Sequence, residues 1–586
     1  MTKKINSKTV TLAILFCLGL ALVLIAGTLP KIINSGNSAQ DSGNSAQVET
    51  ASQSNNSASG ELALGTNLHG IANWSTQLPF LDGFKSARGW ITQCQRREPN
   101  CSGSWNTEEY EKLDLDEYGW VKSLPAPEEP PEYTRVATVM YKDVVRYPGG
   151  QYVALYDGEG TIEYGADATK DEAASTPGRD IINVTPSKRG IRLLITATDP
   201  NKTGNYIRNI RVVQAKYEQT YESEIFNPDF LEKIKKFQAI RFMDWMGTNH
   251  SQQGEWQNRT KLATAFYRSK TGGPPVEIMV ELANRLQVDP WFNLPHMATD
   301  EYMTKFAEIV KDSLDPNLTA YLEYSNEVWN PNFGQFQWVK DNGEISGQNT
   351  PHQSYGVRTA QMCDLWKGVF GEQSNRVKCV MGTHTANPWV AEQVLNCEQW
   401  SEAPCYKHGI DALAITAYFS GRLGLPAYES TIESWIDNPN IDEFEQGLTQ
   451  LKDGSVLDPS LNKKKDFGST QDLPQRFKDY GAIAQAKGLE LVVYEGGSHV
   501  VGRQKVKNNE KLTKFFIELH RKPEFYDRYM EMLNAWKEHE GTCTLFMNFS
   551  DIGKPSKWGS WGVLEHVNEE SSPRYDALID FIDKNS

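Results

Sequence analysis

The sequence predicts a parallel (β/α)8 barrel. Three observations carry that expectation. Eight short apolar runs recur between residues 62 and 549, helical periodicity fills the intervals, and no Gly-rich phosphate turn follows the first run. Such a turn would mark the alternative, a doubly wound open sheet. The runs are 62–68, 239–245, 289–295, 319–325, 377–384, 411–418, 489–495 and 543–549. Asn227 and Pro228 open a helix in which Phe230, Leu231, Ile234 and Phe237 repeat at helical spacing. Helical patterns over 275–287 and 299–314 lead into the next runs.

The interval between the first and second runs has a different texture. Short strands at 152–156, 161–164, 191–198 and 206–214 are separated by Gly, Asp and Asn, which predicts a small β-sandwich-like module over 133–217. A Pro- and acid-rich stretch at 125–131 marks its start. The barrel is then built from 61–132 and 218–586, with the module inserted after the first strand.

The composition of residues 29–60 cannot bury a core. Residues 29–60 repeat SGNSAQ and read as a tether. Residues 9–28 are apolar over close to the ~20 residues that span a bilayer. With Lys3 and Lys4 in a cytoplasmic tail at 1–8, this is expected to be a signal anchor. A cleaved signal peptide is the alternative, with Ile25-Ala26-Gly27 as a weak small-x-small site. The bulk is expected to be exported: anchored to the membrane and facing the periplasm or exterior, or secreted after cleavage. Cysteine usage fits export. Cys94 with Cys101, and Cys397 with Cys405, are close enough for local disulfides, while Cys363, Cys379 and Cys543 read as core positions.

Net charge is −15 over 586 residues, which argues against nucleic acid as a partner. The 16 Trp suit a carbohydrate binder, because sugar C–H faces stack on indole rings. No CxxC or His-rich spacing points to zinc, no cofactor is expected, and the chain is expected to act as a monomer.

A barrel of this kind places its site at the C-terminal ends of the strands. Those ends carry Asn67 and His69, Arg241 and Asp244, Asn293 and His296, Asn326 and Glu327, His384, Tyr418, Glu495, and finally Asn548 and Asp551. Trp558 and Trp561 follow in the last loop. Glu327 and Glu495 each close an apolar run, on strands four and seven. Two carboxylates brought together in this way are what glycosidic bond cleavage needs: one to protonate the leaving oxygen, one to attack the sugar or activate water. A separation of about 5–5.5 Å gives retention of configuration, and about 6.5–9.5 Å gives inversion.

The Asn326-Glu327 pair on strand four, Glu495 on strand seven and Arg241 on strand two together resemble the clan of retaining (β/α)8-barrel glycoside hydrolases. That clan includes cellulases, mannanases and β-galactosidases. The resemblance covers roughly 61–130 and 218–570, without a substrate-defined family. It implies Glu327 as general acid/base, Glu495 as nucleophile, and Asn326 holding the sugar 2-hydroxyl. It further implies Arg241 keeping the nucleophile ionised and Tyr418 contacting it, with His296 and the Trp after strand eight as looser matches. His384, Asn67 and His69 complete the expected substrate-binding rim, and Trp245, Trp291, Trp329, Trp389 and Trp561 are candidate sugar platforms. The expected partner is a β-linked poly- or oligosaccharide. A non-catalytic glycan-binding barrel for surface polysaccharide assembly or export, and a transglycosylase using the same residues, stand as alternatives.

Overall fold

The computed structural model describes residues 62–586 apart from 129, 346–349, 462–466, 540 and 586. The tail, anchor and linker anticipated at 1–60 lie outside the described residues. Among the described residues no helix is long and apolar enough to cross a membrane.

Sixteen strands are present among them: β1 (Ala63–Asn67), β2 (Ile91–Gln93), β3 (Arg135–Met140), β4 (Gly150–Asp157), β5 (Gly160–Ala166), β6 (Ala168–Thr176), β7 (Arg179–Val184), β8 (Ile191–Thr198), β9 (Arg208–Gln214), β10 (Ala239–Arg241), β11 (Asp289–Leu294), β12 (Ala320–Tyr324), β13 (Val377–Gly382), β14 (Ile410–Phe419), β15 (Glu490–Ser498) and β16 (Cys543–Asn548). Strands β1 and β10 to β16 form a closed barrel in chain order, with every pairing parallel. The fold is therefore a (β/α)8 barrel. These strands read as apolar runs because both faces are covered, inward by the barrel interior and outward by helices. Helix α1 (Pro228–Ile234) is capped by Asn227, whose side chain accepts from the Asp229 amide. Helices α2 (Val276–Leu286) and α3 (Asp300–Ser313) follow; Thr299 caps α3, which buries Tyr302, Met303, Phe306 and Val310 against the sheet.

The lower barrel interior is apolar, filled by Trp291, Tyr321, Val380, Val492, Leu545 and Met547 among others. Gly65 is required there, since a Cβ would overlap the Met547 thioether.

The second run corrects the sequence expectation. The strand stops at Arg241, not at residue 245. The chain then turns, with the Met246 amide donating to the Phe242 carbonyl and the Thr248 amide to the Met243 carbonyl. Trp245 drives the turn by burying its ring among Phe80, Phe230 and Phe242. Gly247, at φ 57, completes it where a Cβ would collide with the Ser269 backbone.

Strands β2 to β9 make two four-stranded sheets, in the orders β2-β3-β8-β5 and β6-β7-β4-β9. Ile91–Gln93 pairs antiparallel with β3, so this sheet draws on residues inside the stretch assigned from sequence to the barrel. Cys94–Cys101 and Cys397–Cys405 are disulfides, and Cys363, Cys379 and Cys543 are buried.

Candidate active site

Arg241 organises the upper barrel interior. It is fully buried at the end of β10, in register with Asn67 on one side and Trp291 on the other. Each of its five N–H groups has an acceptor. Nε and one Nη2 proton go to Glu323 Oε2 at 3.1 and 2.8 Å, and the second Nη2 proton goes to Asn326 Oδ1 at 2.9 Å. Nη1 donates to Asn67 Oδ1 and to Glu495 Oε1, both at 2.9 Å. A planar guanidinium can serve four side chains in this way, and a lysine could not. Glu323 is itself satisfied by the Trp291 indole N–H at 2.9 Å and the Asn293 amide at 2.8 Å.

Glu495 is reached by a local irregularity. Between β14 and β15 the register shifts from Ile415↔Val493 to Thr416↔Glu495, which leaves Tyr494 as an extra residue. Two consecutive side chains thereby face the barrel interior, against the alternation of a regular strand. Glu495 takes its Arg241 contact on Oε1 and the Tyr418 hydroxyl at 2.9 Å on Oε2. Tyr494 donates its hydroxyl to Glu327 Oε1 at 3.1 Å, under the face-on Arg241 guanidinium at 5.2 Å.

Glu327 has a different environment. Its acceptors are met by neutral donors alone, Tyr494 and the Asn330 amide at 2.8 Å. Its backbone is left-handed at φ 43, as is Ser325 at φ 58, conformations that cost roughly 1–3 kcal/mol each in a non-Gly residue. The segment is held by the Asn293 amide on the Ser325 carbonyl at 2.9 Å and the Gln335 amide on the Asn326 carbonyl at 2.7 Å.

These surroundings separate the two carboxyls. Burial pushes Glu327 up to about 7, with the Glu495 charge adding to it. Burial raises Glu495 too, but there the Arg241 charge and hydrogen bond pull it back, followed by Tyr418. The pair titrates as a unit, and the proton it retains near neutral pH sits on Glu327, away from the cation. Tyr418 and Tyr494 are held well above the ordinary phenol range by burial, so both remain donors.

Above this network opens a cleft of about 740 Å³. It brings together Asn326, Glu327, Trp329, His384, Tyr418, Glu495 and Trp561 of the sequence-predicted set. Trp329 stacks on His384 at 4.5 Å, and its buried indole N–H has no partner among the described residues. Trp561 meets the Tyr418 and His499 rings edge-on, while its N–H donates to the Trp558 carbonyl at 2.9 Å.

Other predicted residues lie elsewhere. Asn67 and Arg241 lie beneath the cleft and hold its floor. His296 is buried with its ring edge-on to Trp338, and His69 packs against Gly553 outside the cleft lining. Burial holds both imidazoles down to about 4, so they are neutral. Trp245 is core, with its N–H on the Gln77 side chain, and Trp291 is part of the barrel interior. Trp389 is 43% exposed and outside the cleft lining.

Sequence reasoning gave no role to Glu323, Tyr494, Asn330, Asn249 or His499. Glu323 had a signal: a charged residue within an apolar strand must be paired inside. Asn330, three residues after Glu327, had a weaker one. The register shift that aims Tyr494 had none.

A closed parallel barrel with two carboxyls at the ends of its fourth and seventh strands defines the class of site. No family model and no curated protein matches the chain. Among solved structures it is similar to a GH51 arabinofuranosidase from Xanthomonas axonopodis pv. citri, at 11% identity and TM-score 0.35. The match covers 61% of this chain and 66% of that one. It is similar also to an α-L-arabinofuranosidase from Thermotoga maritima, at 12% identity, TM-score 0.34, and 61% and 64% coverage. An endo-1,4-β-xylanase from Caldicellulosiruptor owensensis matches at 11% identity, TM-score 0.33, and 61% and 93% coverage. The chain thus spans less than two thirds of the two arabinofuranosidases. At these scores the fold assignment rests on the strand pairing.

Proposed function

We propose that this chain is a glycoside hydrolase that cleaves a β-linked poly- or oligosaccharide with retention of configuration. Glu327 is its general acid/base and Glu495 its nucleophile. One observation carries the reading: two carboxyls share a cleft, one tied to a buried guanidinium and a phenol, the other to neutral donors only. The first is kept as an anion and the second as an acid.

In the first step Glu495 attacks the anomeric carbon. Glu327 gives its proton to the glycosidic oxygen, which leaves as an alcohol. The glycosyl ester formed on Glu495 is resolved by water, whose proton passes to the Glu327 carboxylate as the ester C–O bond breaks. Arg241 and Tyr418 stabilise the Glu495 anion at the start and end of the cycle. Asn326, fixed by Arg241 and Asn249, is placed to hold the 2-hydroxyl, and Trp329 and Trp561 flank the sugar. Export through residues 9–28, as anchor or cleaved signal, fits an extracellular glycan substrate.

The test is a panel of β-linked polysaccharides, with products followed by mass spectrometry and the first-formed anomer by proton NMR. Oligosaccharides released with the β anomer first are expected. Release of the α anomer would overturn retention, and wild-type turnover by Glu495→Gln would overturn the residue assignment.

A further inference from the structure

Gln335 is the second residue of helix α4 (Gly334–Asn342), which follows the Glu327 turn, and its side chain is fully buried. It joins two turns at the rim. On the strand-two side, the His250 backbone N–H donates to Gln335 Oε1 at 3.1 Å, and Gln335 Nε2 donates to Asn249 Oδ1 at 2.7 Å. On the strand-four side, the second Nε2 proton goes to the Asn326 carbonyl at 2.7 Å. The neighbouring Gly334 amide adds a parallel tie, donating to His250 Nδ1 at 3.1 Å. Both turns hold left-handed backbone at non-glycine residues: His250 at φ 59 in one, Ser325 at φ 58 and Glu327 at φ 43 in the other. Such conformations persist where the surroundings impose them, and Gln335 is a support common to both turns.

The same contacts orient the amides. A side-chain amide has one accepting end and one donating end, and its partners decide which way round it lies. A backbone N–H only donates and a backbone carbonyl only accepts, so His250 and Asn326 leave Gln335 one orientation. Its Nε2 then requires the oxygen of Asn249. That oxygen also takes Asn326 Nδ2 at 3.1 Å. Arg241 fixes the other end, donating to Asn326 Oδ1 at 2.9 Å. The relay is consistent from both ends, and it leaves Asn326 one N–H uncommitted among the described residues, next to Glu327. We propose that Gln335 is a positioning residue: it clamps the strand-two turn to the strand-four turn, sets Asn326 to donate toward the sugar, and aims the Glu327 carboxyl. This role rests on the glycoside hydrolase reading. Gln335 is outside the cleft lining, whereas Asn249, Asn326 and Glu327 are in it, so Gln335 acts through them. Without its N–H groups the buried Asn326 carbonyl loses a donor and the turns lose their joint. A misplacement of about 1 Å at the acid costs on the order of 10²-fold in rate.

The experiment uses the full-length protein and reads the clamp and the turnover separately. Gln335→Met keeps the length of the side chain without its polar ends. Gln335→Glu keeps the oxygen that accepts from His250 and replaces the donating nitrogen. Hydrogen exchange read by mass spectrometry needs no substrate. Both variants are expected to speed exchange at least about tenfold in 248–252 and in 325–335 together, with the barrel strands unchanged. Turnover is measured on β-1,3- and β-1,4-glucan, β-1,4-xylan and β-1,4-mannan. On whichever is cleaved, kcat should fall about 10²-fold with KM within about threefold. Because Gln335 acts through Asn249, the double variant Gln335→Met/Asn249→Ala should be no more than about twofold slower than the slower single one. Wild-type kcat in either Gln335 variant, faster exchange in one turn only, or effects that multiply in the double variant would overturn the proposal. Joint loosening of both turns in a protein that cleaves no glycan would uphold the clamp and sink the hydrolase reading. Cleavage that survives Gln335→Met at full rate would do the reverse.

Discussion

The two halves of the barrel interior are built on opposite principles. The lower half is apolar and close-packed around Trp291, Tyr321 and Met547. The upper half, within the same ring of strands, buries Arg241 with Glu323, Glu495, Asn67, Asn293 and Asn326. The lower half can be altered at a cost that scales with lost volume. The upper half is a network centred on one cation, so removing Arg241 leaves two buried carboxylates without a partner charge. This barrel separates a close-packed core from a buried polar network by height along its axis.

The greatest loss is expected in turnover. Glu495→Gln should lower kcat by about 10⁴-fold or more, with little loss of melting temperature. Arg241→Met should cost about 3–5 kcal/mol in denaturant unfolding, because Glu323 and Glu495 lose their shared cation. It should also move the acid limb of any remaining activity to higher pH. Met547→Ala, in the lower half, should cost about 2–5 kcal/mol yet leave the pH profile of the proposed activity unchanged in the folded protein. A profile shift in that variant would show that the halves are not separate.

The remaining expectations concern the titration of Glu327. Activity should fall on the alkaline side near pH 7, where Glu327 gives up its proton, and Tyr494→Phe should move that limb upward by removing a donor to the carboxylate. Stability follows the same group. Glu327 binds its proton more tightly folded than unfolded, so its contribution is complete below the ordinary value of 4.5 and is lost as pH rises through about 7. Glu327→Gln should remove that slope, so its melting temperature should gain on wild type between pH 5 and pH 8.

The lower half and the strand order were legible in the sequence because strands covered on both faces are continuous apolar runs. The two glutamates were legible as charges at the ends of such runs. Where the chain leaves a strand was less so: Phe242, Met243 and Trp245 continue the apolar pattern while the backbone turns, so Trp245 read as a rim platform and is core. Strand β6, mostly exposed and built of Ala, Thr and single charged residues, carries no apolar run at all. The Tyr494 register shift is set by pairing with β14, a long-range fact that no local pattern encodes.

The barrel closes by joining its first strand to its last, Ala63 against Leu545 and Thr66 against Asn548. Asn67 then donates to the Asn548 carbonyl while accepting from Arg241. The floor of the cleft is therefore finished by nearly the last strand made. At roughly 5–20 residues per second, β1 waits on the order of a minute for its neighbour during synthesis. Until then its edge is open and the Arg241 network lacks its final wall. A chain cut short before β16 would carry both glutamates on a barrel that cannot close.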